Sequence, residues 1–354
     1  MAYSLEALLG MMYDREASDL YISVGLPPVL RIKGTLQVLE GGRLTPDATQ
    51  HLVYSFLTDE QKEQLEREWE LDLSFGLEGK ARIRANAYRQ RGAISATLRM
   101  IPTRVPSFAE LQLPKAIDYI VNLPKGLVLV SGPAGCGKTT TLASVIDYIN
   151  EREAIHIITV EDPIEYIHPH KKAVVNQREV GADTATFASA LKFALREDPD
   201  VVLVGEMRDL ETIESSLIIA ETGHLVFATL HTPDAIQAIN RVIDVFPAHQ
   251  QPQIRTQLSF VLMAVICQQL LQTADGMNQM LAAEVLVLTP AIRAMIREEK
   301  VHQIYSMMQT GSEMYMQTMN QALHKLVKER KVTREEAMAR SSDPLELENL
   351  LRGK

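Results

Sequence analysis

Only two cysteines, Cys136 and Cys267, occur in the 354 residues, and they lie far apart. No disulfide framework or four-cysteine zinc site can be built from them, and such sparing use of cysteine fits a cytosolic chain. There is a single tryptophan, and aromatic residues make up 5% of the sequence. Basic residues are outnumbered 36 to 45, giving a formal charge of −9 and a pI near 5.6. A protein whose main partner is nucleic acid usually presents a basic surface or stacking aromatics, so nucleic acid is not expected here, although a local basic groove is not excluded. Long apolar runs are missing as well. Segments such as 126–130 and 201–205 are too short to span a bilayer and suit buried strands. The N-terminal MAYSLEALLGMMYDREASDLYIS has no basic region followed by an apolar core, so neither a signal peptide nor direct membrane insertion is expected.

What is present is an ordinary globular composition, 46% hydrophobic and 23% charged, with length for about two domains. Residues 3–13 place apolar side chains at helical spacing. Asp19–Arg31 reads as a strand interrupted by Pro27 and Pro28, with a turn at Gly34 and a returning strand at 36–39. Residues 46–70 read as two helices, and 71–75, 81–89 and 93–101 as strands, which together make an α+β unit with an antiparallel sheet. The proline-rich stretch 101–114 is the expected linker between a domain over 1–100 and one over 115–354. From about residue 115 short β-branched strands alternate with helices, as in βαβ units on a parallel sheet buried on both faces. Residues 234–330 are expected to be mainly helical, and a tail helix carries Pro344 in its first turn.

The strand GLVLVSG runs into GPAGCGKTTT, a complete G-x-x-x-x-G-K-[ST] motif in strand–loop–helix context. Its residues Gly132, Pro133, Ala134, Gly135, Cys136, Gly137, Lys138, Thr139 and Thr140 are the expected nucleotide-binding set. Glycines allow positive φ and let successive amides approach phosphate oxygens, and the following helix points its positive end at the same anion. Lys138 is expected to reach the β- and γ-phosphates of ATP, and the Thr139 hydroxyl to join the Mg²⁺ shell. Cys136 contributes only backbone.

A phosphate cradle binds; hydrolysis also needs carboxylates that hold Mg²⁺ and orient water. The apolar strand in DPDVVLVGEMRD ends at Glu206, and the one in IHIITVEDPIE ends at Glu161 and Asp162. Acids at the carboxyl ends of parallel strands open into the crevice where such sheets bind ligands. Thr139, Glu161 and Glu206 are therefore the candidates for holding Mg²⁺, partly through water. TGHLVFATLHT sets His224 and His231 on either side of a third strand, a spacing equally compatible with ordinary structural histidines. Arg82 and Arg84 share one face of a strand, with Arg99 on the next, which suits either a solvated face or charge supplied to a γ-phosphate.

On these residues the chain resembles the twitching-motility, or retraction, ATPases of type IV pili within the type II/IV secretion ATPase superfamily. GPAGCGKT resembles the family's Walker A motif, ITVEDPIEYIHPH its Asp box, VVLVGEMRD its Walker B motif and TGHLVFATLHT its His box, while SDLYISVGLPPVLRIKG resembles its PAS-like N-terminal domain. NQREVGADT and TPAIRAMIREEK resemble segments of the retraction branch. The resemblance implies a RecA-like ATPase domain behind a smaller PAS-like α+β domain, and a homo-hexamer with ATP held between subunits. It makes Glu206 the catalytic glutamate, gives Glu161, Asp162, His224 and His231 box roles, and makes Arg84 and Arg99, with Arg82, the phosphate-facing arginines. It further implies a cytoplasmic motor that acts peripherally at the inner membrane on a pilus platform protein, in some systems beside a paralogous motor. Ala134, Cys136 and Thr139 stand where many relatives carry Thr, Ser and Ser, and Ala294 and Met295 where Asn and Leu are usual. Pilus-assembly and type II secretion ATPases are the nearest alternatives, but they usually carry a further N-terminal domain and a four-cysteine zinc site. A RecA-type nucleic-acid motor is the more distant one.

Overall fold

The computed structural model describes residues 3–32, 34–77, 81–101 and 104–353. Contacts divide the chain into two units: residues up to Arg104 together with Glu165–Ile167, and Val105–Ile164 together with the chain from His168 onward.

The first unit contains α1 (Leu5–Asp14), β1 (Ala17–Ile22), β2 (Val29–Ile32), β3 (Thr35–Val38), α2 (Pro46–Tyr54), α3 (Asp59–Glu68), β4 (Glu70–Leu77), β5 (Ala81–Gln90) and β6 (Ala93–Ile101). Its six strands form one antiparallel sheet in the order β3-β2-β1-β6-β5-β4. On β5, Ile83, Ala85 and Ala87 are buried while Arg82, Arg84 and Asn86 between them are half-buried, the period-two pattern of a strand with one face in a core. Asp19–Arg31 does not run as one interrupted strand. It folds back as β1 and β2, because the two prolines between them lack the amides needed to extend a ladder.

The second unit contains α4 (Ala116–Ile120), β7 (Gly126–Ser131), α5 (Lys138–Arg152), β8 (His156–Glu161), β9 (Val174–Glu179), α6 (Phe187–Ala194), β10 (Val201–Val204), α7 (Leu210–Glu221), β11 (Leu225–Thr229), α8 (Ala235–Asp244), α9 (Gln251–Val261), β12 (Leu262–Gln272), β13 (Gln279–Val287), α10 (Pro290–Arg297), α11 (Ile304–Thr310), α12 (Met319–Lys328), α13 (Arg334–Arg340) and α14 (Pro344–Leu351). The sheet order is β13-β12-β7-β11-β10-β8-β9, parallel throughout except for the β12–β13 hairpin. β7, β10 and β11 are buried along their whole length, as their unbroken apolar sequences require of strands covered on both faces.

Two features depart from the sequence-based expectation. Helices do predominate in the stretch 234–330, but it also includes the strands β12 and β13, which are not among the expected elements. LMAVICQQLLQ is rich in Leu and Gln, which favour helices, and only Val265 and Ile266 are β-branched, but β12 lies between β7 and β13, and tertiary burial overrides that weak preference. The parallel edge strand β9 has no counterpart in the expected elements, since VVNQRE alternates too briefly to stand out. The C-terminal helices add a smaller apolar cluster in which Leu271 and Ala282 meet Leu323, Leu326 and Leu347. Among the described residues no helix is long and apolar enough to cross a membrane.

Candidate active site at the end of the parallel sheet

The loop after β7 takes the conformation its glycines permit. Gly132, Gly135 and Gly137 have φ of +138°, +76° and +89°, a region costly for residues with a Cβ. Gly132 also has no room: a Cβ there would lie 2.4 Å from the Gln268 carbonyl oxygen and 2.7 Å from Cys136 Sγ. Pro133, Ala134 and Gly135 are exposed at the crest, whereas Cys136 is buried and its thiol is pushed up by desolvation, which fits a packing role. Lys138 is 8% exposed, and its Nζ donates to the carbonyls of Gly132 at 2.7 Å and Pro133 at 3.1 Å. Its ammonium is thereby centred inside the loop.

The helix that follows has an open end. Gly137 occupies the N-cap of α5 and offers no side-chain acceptor, so the first amides of the helix face outward, uncapped by any side chain, beside Thr139 and Thr140. Such an end carries partial positive charge and unsatisfied donors, the arrangement a phosphate fills. The loop is anchored from both sides. Ser131 Oγ accepts the Thr232 amide at 2.8 Å, and Gln268 Nε2 donates to Thr141 Oγ1 at 2.8 Å.

Because β7, β11, β10 and β8 are parallel, their carboxyl ends share one edge of the sheet. Glu161 closes β8, is 7% exposed, and accepts from Thr159 Oγ1 at 2.7 Å and Gln177 Nε2 at 3.2 Å. Gly205, just past β10, abuts Glu161: a Cβ on it would lie 3.1 Å from the Glu161 Cα. Asp162 follows on the exposed side. Glu206 Oε1 is 2.6 Å from Arg208 Nε and 3.1 Å from His231 Nε2. Burial alone would raise the Glu206 pKa, but the Arg208 hydrogen bond and the charges of His231 and Arg208 outweigh it and hold it below the ordinary carboxylate value. Glu206 is thus an anion at neutral pH, able to orient a water. Among the described residues no three His, Cys, Asp or Glu side chains gather into a metal cage. The hydroxyl of Thr139 with one or two strand-end carboxylates is a donor set of the kind Mg²⁺ uses when phosphates and waters complete its shell.

Not every candidate joins this edge. His231 does, but His224 precedes β11 at the opposite edge, where its carbonyl accepts the Gly126 amide at 2.9 Å. Its Nδ1 lies 3.0 Å from the Ile219 carbonyl and 3.1 Å from Thr222 Oγ1. It is a strand's length, roughly 16 Å at about 3.3 Å per residue, from the phosphate loop of its own chain.

The arginines lie on the first unit's sheet. Arg84 pairs in register with Arg99, Arg99 with Asp19, and Asp19 with Arg31. One row across four strands therefore carries three guanidinium groups and one carboxylate. Asp19 is buried and holds Arg99 at 2.8 Å and Arg31 at 3.5 Å, and its hydrogen bond and charge raise the Arg99 pKa further. Arg82 Nη2 donates to Ser74 Oγ at 2.6 Å. Sequence reasoning missed Asp19 and Arg31, whose place in the row depends on strand register. It also missed Gln177 and Arg208, although Arg208 follows Glu206 closely enough to have been a signal.

A family model described as type II/IV secretion system protein matches residues 95–343. The type IV pilus retraction ATPase PilT of Pseudomonas aeruginosa is 46% identical over 337 residues, covering 95% of this chain and 98% of that protein. A twitching motility protein of Neisseria gonorrhoeae is 43% identical, covering 97% and 92%. Among solved structures, the pilus retraction motor PilT with bound ADP superposes with a TM-score of 0.92 at 49% identity, over 98% of this chain and 99% of that one. The Legionella pneumophila ATPase DotB gives 0.83 at 27% identity, over 96% of both chains.

Proposed function

The chain belongs to the type II/IV secretion system protein family, and from that premise we propose that it is an ATP-hydrolysing motor that powers retraction of type IV pili. The observation that carries the ATPase reading is the uncapped N-terminus of α5 behind a loop whose glycines take positive φ, with Glu161 and Glu206 closing neighbouring strands at the same edge of a RecA-like sheet. Retraction rests on full-length similarity to PilT and to the twitching motility protein. Pilus assembly and type II secretion are less favoured, since the type II secretion proteins match only about a quarter of their own length.

In this reading the loop amides and Lys138 bind the β- and γ-phosphates. Thr139, with Glu161 and Glu206 partly through water, would hold Mg²⁺, which would supply positive charge to those phosphates. Glu206 orients the attacking water and takes its proton as the new oxygen–phosphorus bond forms. The bond between the γ-phosphorus and the β–γ bridging oxygen breaks, ADP leaves with that electron pair, and the proton passes on to the released phosphate. Glu161 is fixed by Thr159 and Gln177, and His231 stands beside Glu206 to report on the γ-phosphate.

The chain works as a homo-hexamer in which Arg84 and Arg99, with Arg82, are supplied by the N-terminal unit of a neighbouring subunit, residues 101–114 serving as linker. The net positive row on that unit's own sheet supports this assignment, as an arginine supplied in trans is a common way to neutralise transition-state charge. Inside the cell the ring acts at the cytoplasmic side of the inner membrane through a pilus platform protein, alone or beside a paralogous motor. A subunit-mixing experiment tests the shared site. Arg84→Ala and Lys138→Ala are each expected to abolish ATPase activity. A one-to-one mixture assembled together should recover about a quarter of wild-type turnover, because at random half of the loops are intact and half of those face an intact arginine. Complete inactivity of mixed rings would place the arginine in the same subunit's site, or outside the site.

A further inference from the structure

Glu284, on β13, is 4% exposed. Its Oε1 accepts the Ala235 amide at 2.8 Å, and its Oε2 lies 3.4 Å from the Met319 amide. Ala235 opens α8 and Met319 opens α12, so one carboxylate meets the first amides of two helices. The capping residues do not duplicate this. Asp234 accepts from the Gln237 amide and Thr318 from the Gln321 amide, two residues further in.

The Ala235 contact leads directly to the hydrolysis site. Ala235 lies shortly after His231, whose Nε2 is 3.1 Å from Glu206 Oε1. The intervening loop is fixed by the Leu230 amide on the Val130 carbonyl, the Thr232 amide on Ser131 Oγ, and the Ala235 amide on Glu284. Without the last of these, the loop loses its anchor on the α8 side.

The electrostatics argue that the group is not there for packing. Burial pushes Glu284 up to about 7; the Ala235 and Met319 amides work against that shift, and the charges of Asp234 and Glu346 add to it. Cys267 faces it from β12, and Tyr305 donates to Glu346 on the α14 side. A buried carboxyl with acidic neighbours is costly, and an apolar side chain would fill the same space more cheaply.

We propose that Glu284 is a positioning residue for ATP hydrolysis: it holds the His231 loop against Glu206 and ties that loop to α12. The proposal rests on the assignment of Glu206 and His231 to hydrolysis.

The test uses the full-length protein carrying Glu284→Ala, Glu284→Gln, His231→Ala and the double variants, with kcat, KM for ATP and the Kd for ADP measured for each. Glu284→Ala is expected to lower kcat about tenfold while KM and Kd stay within about twofold. Glu284→Gln keeps one acceptor oxygen for Ala235 and should recover kcat to within about threefold of wild type. On the His231→Ala background, Glu284→Ala should cost less than a further twofold, since both act through one contact. Leu347→Ala, on α14 in the buried C-terminal cluster, serves as the comparison for a general loss of stability and should leave kcat unchanged. Unchanged kcat in Glu284→Ala, or a full tenfold loss added to that of His231→Ala, overturns the proposal. If Glu284→Ala does not fold, Glu284→Leu, which keeps the bulk and removes both acceptor oxygens, takes its place with and without His231→Ala, and an unchanged kcat in that variant overturns the proposal. Full activity of His231→Ala would overturn the assignment of His231 itself, and the proposal with it.

Discussion

Glu206→Gln is expected to reduce kcat for ATP hydrolysis by at least about a hundredfold while the Kd for ADP changes by no more than about threefold. The general base or water-orienting group of such a reaction typically contributes 10²–10⁴-fold. The substitution keeps the size of the side chain and one acceptor oxygen, so the Arg208 and His231 contacts have a partner, but it removes the negative charge. Binding should survive because it is carried elsewhere, by the loop amides, the open end of α5 and Lys138, none of which Glu206 touches. The measurement is steady-state phosphate release alongside titration with a fluorescent ADP analogue. Equal ATPase rates for the two proteins would remove Glu206 from the mechanism. Loss of both binding and turnover would make it a structural residue of the phosphate loop.

Gly132→Ala is expected to be far more damaging than Gly135→Ala, although both glycines sit in one loop at positive φ. At Gly135 an added Cβ meets nothing within 4 Å, so the cost is the backbone conformation alone, roughly 1–2 kcal/mol. At Gly132 the same methyl would press on the Gln268 carbonyl at 2.4 Å and on Cys136 Sγ at 2.7 Å. β12 and the loop then have to separate. Overpacking of this kind adds about 1–3 kcal/mol, so a total near 2–5 kcal/mol is expected. ADP affinity should fall at least tenfold, since Lys138 is centred by the Gly132 carbonyl. Thermal denaturation with and without ADP checks both effects. Similar melting temperatures and similar ADP stabilisation for the two variants would show that Gly132 is not confined as described.

These two expectations draw on different depths of sequence information. The phosphate loop was legible because its motif encodes its own geometry: glycines where φ is positive, lysine where the ammonium is centred. β7, β10 and β11 were legible because strands buried on both faces are apolar throughout. Glu161 and Glu206 followed from being the first acids past such strands. β12 was not legible, because a strand dominated by Leu and Gln, with only Val265 and Ile266 β-branched, looks helical until its neighbours are known. Cross-strand rows are equally hidden, since the register that brings Asp19 between Arg31 and Arg99 spans some eighty residues of sequence. The two histidines show the same limit at short range. Seven positions apart, they bracket one strand, and the direction of that strand alone decides that His231 meets Glu206 while His224 lies at the other edge. Glu284 left no sequence signal at all, since its importance lies in which two helix ends fold onto it.

The central claim, a motor that withdraws pili, is tested most directly by deleting the gene in the organism that carries it and counting surface pili while scoring twitching motility. The account predicts cells with more pili than wild type and no twitching, restored by the wild-type gene and not by Glu206→Gln. Cells without pili, recovering them only when the gene is returned, would contradict it and make the chain an assembly motor.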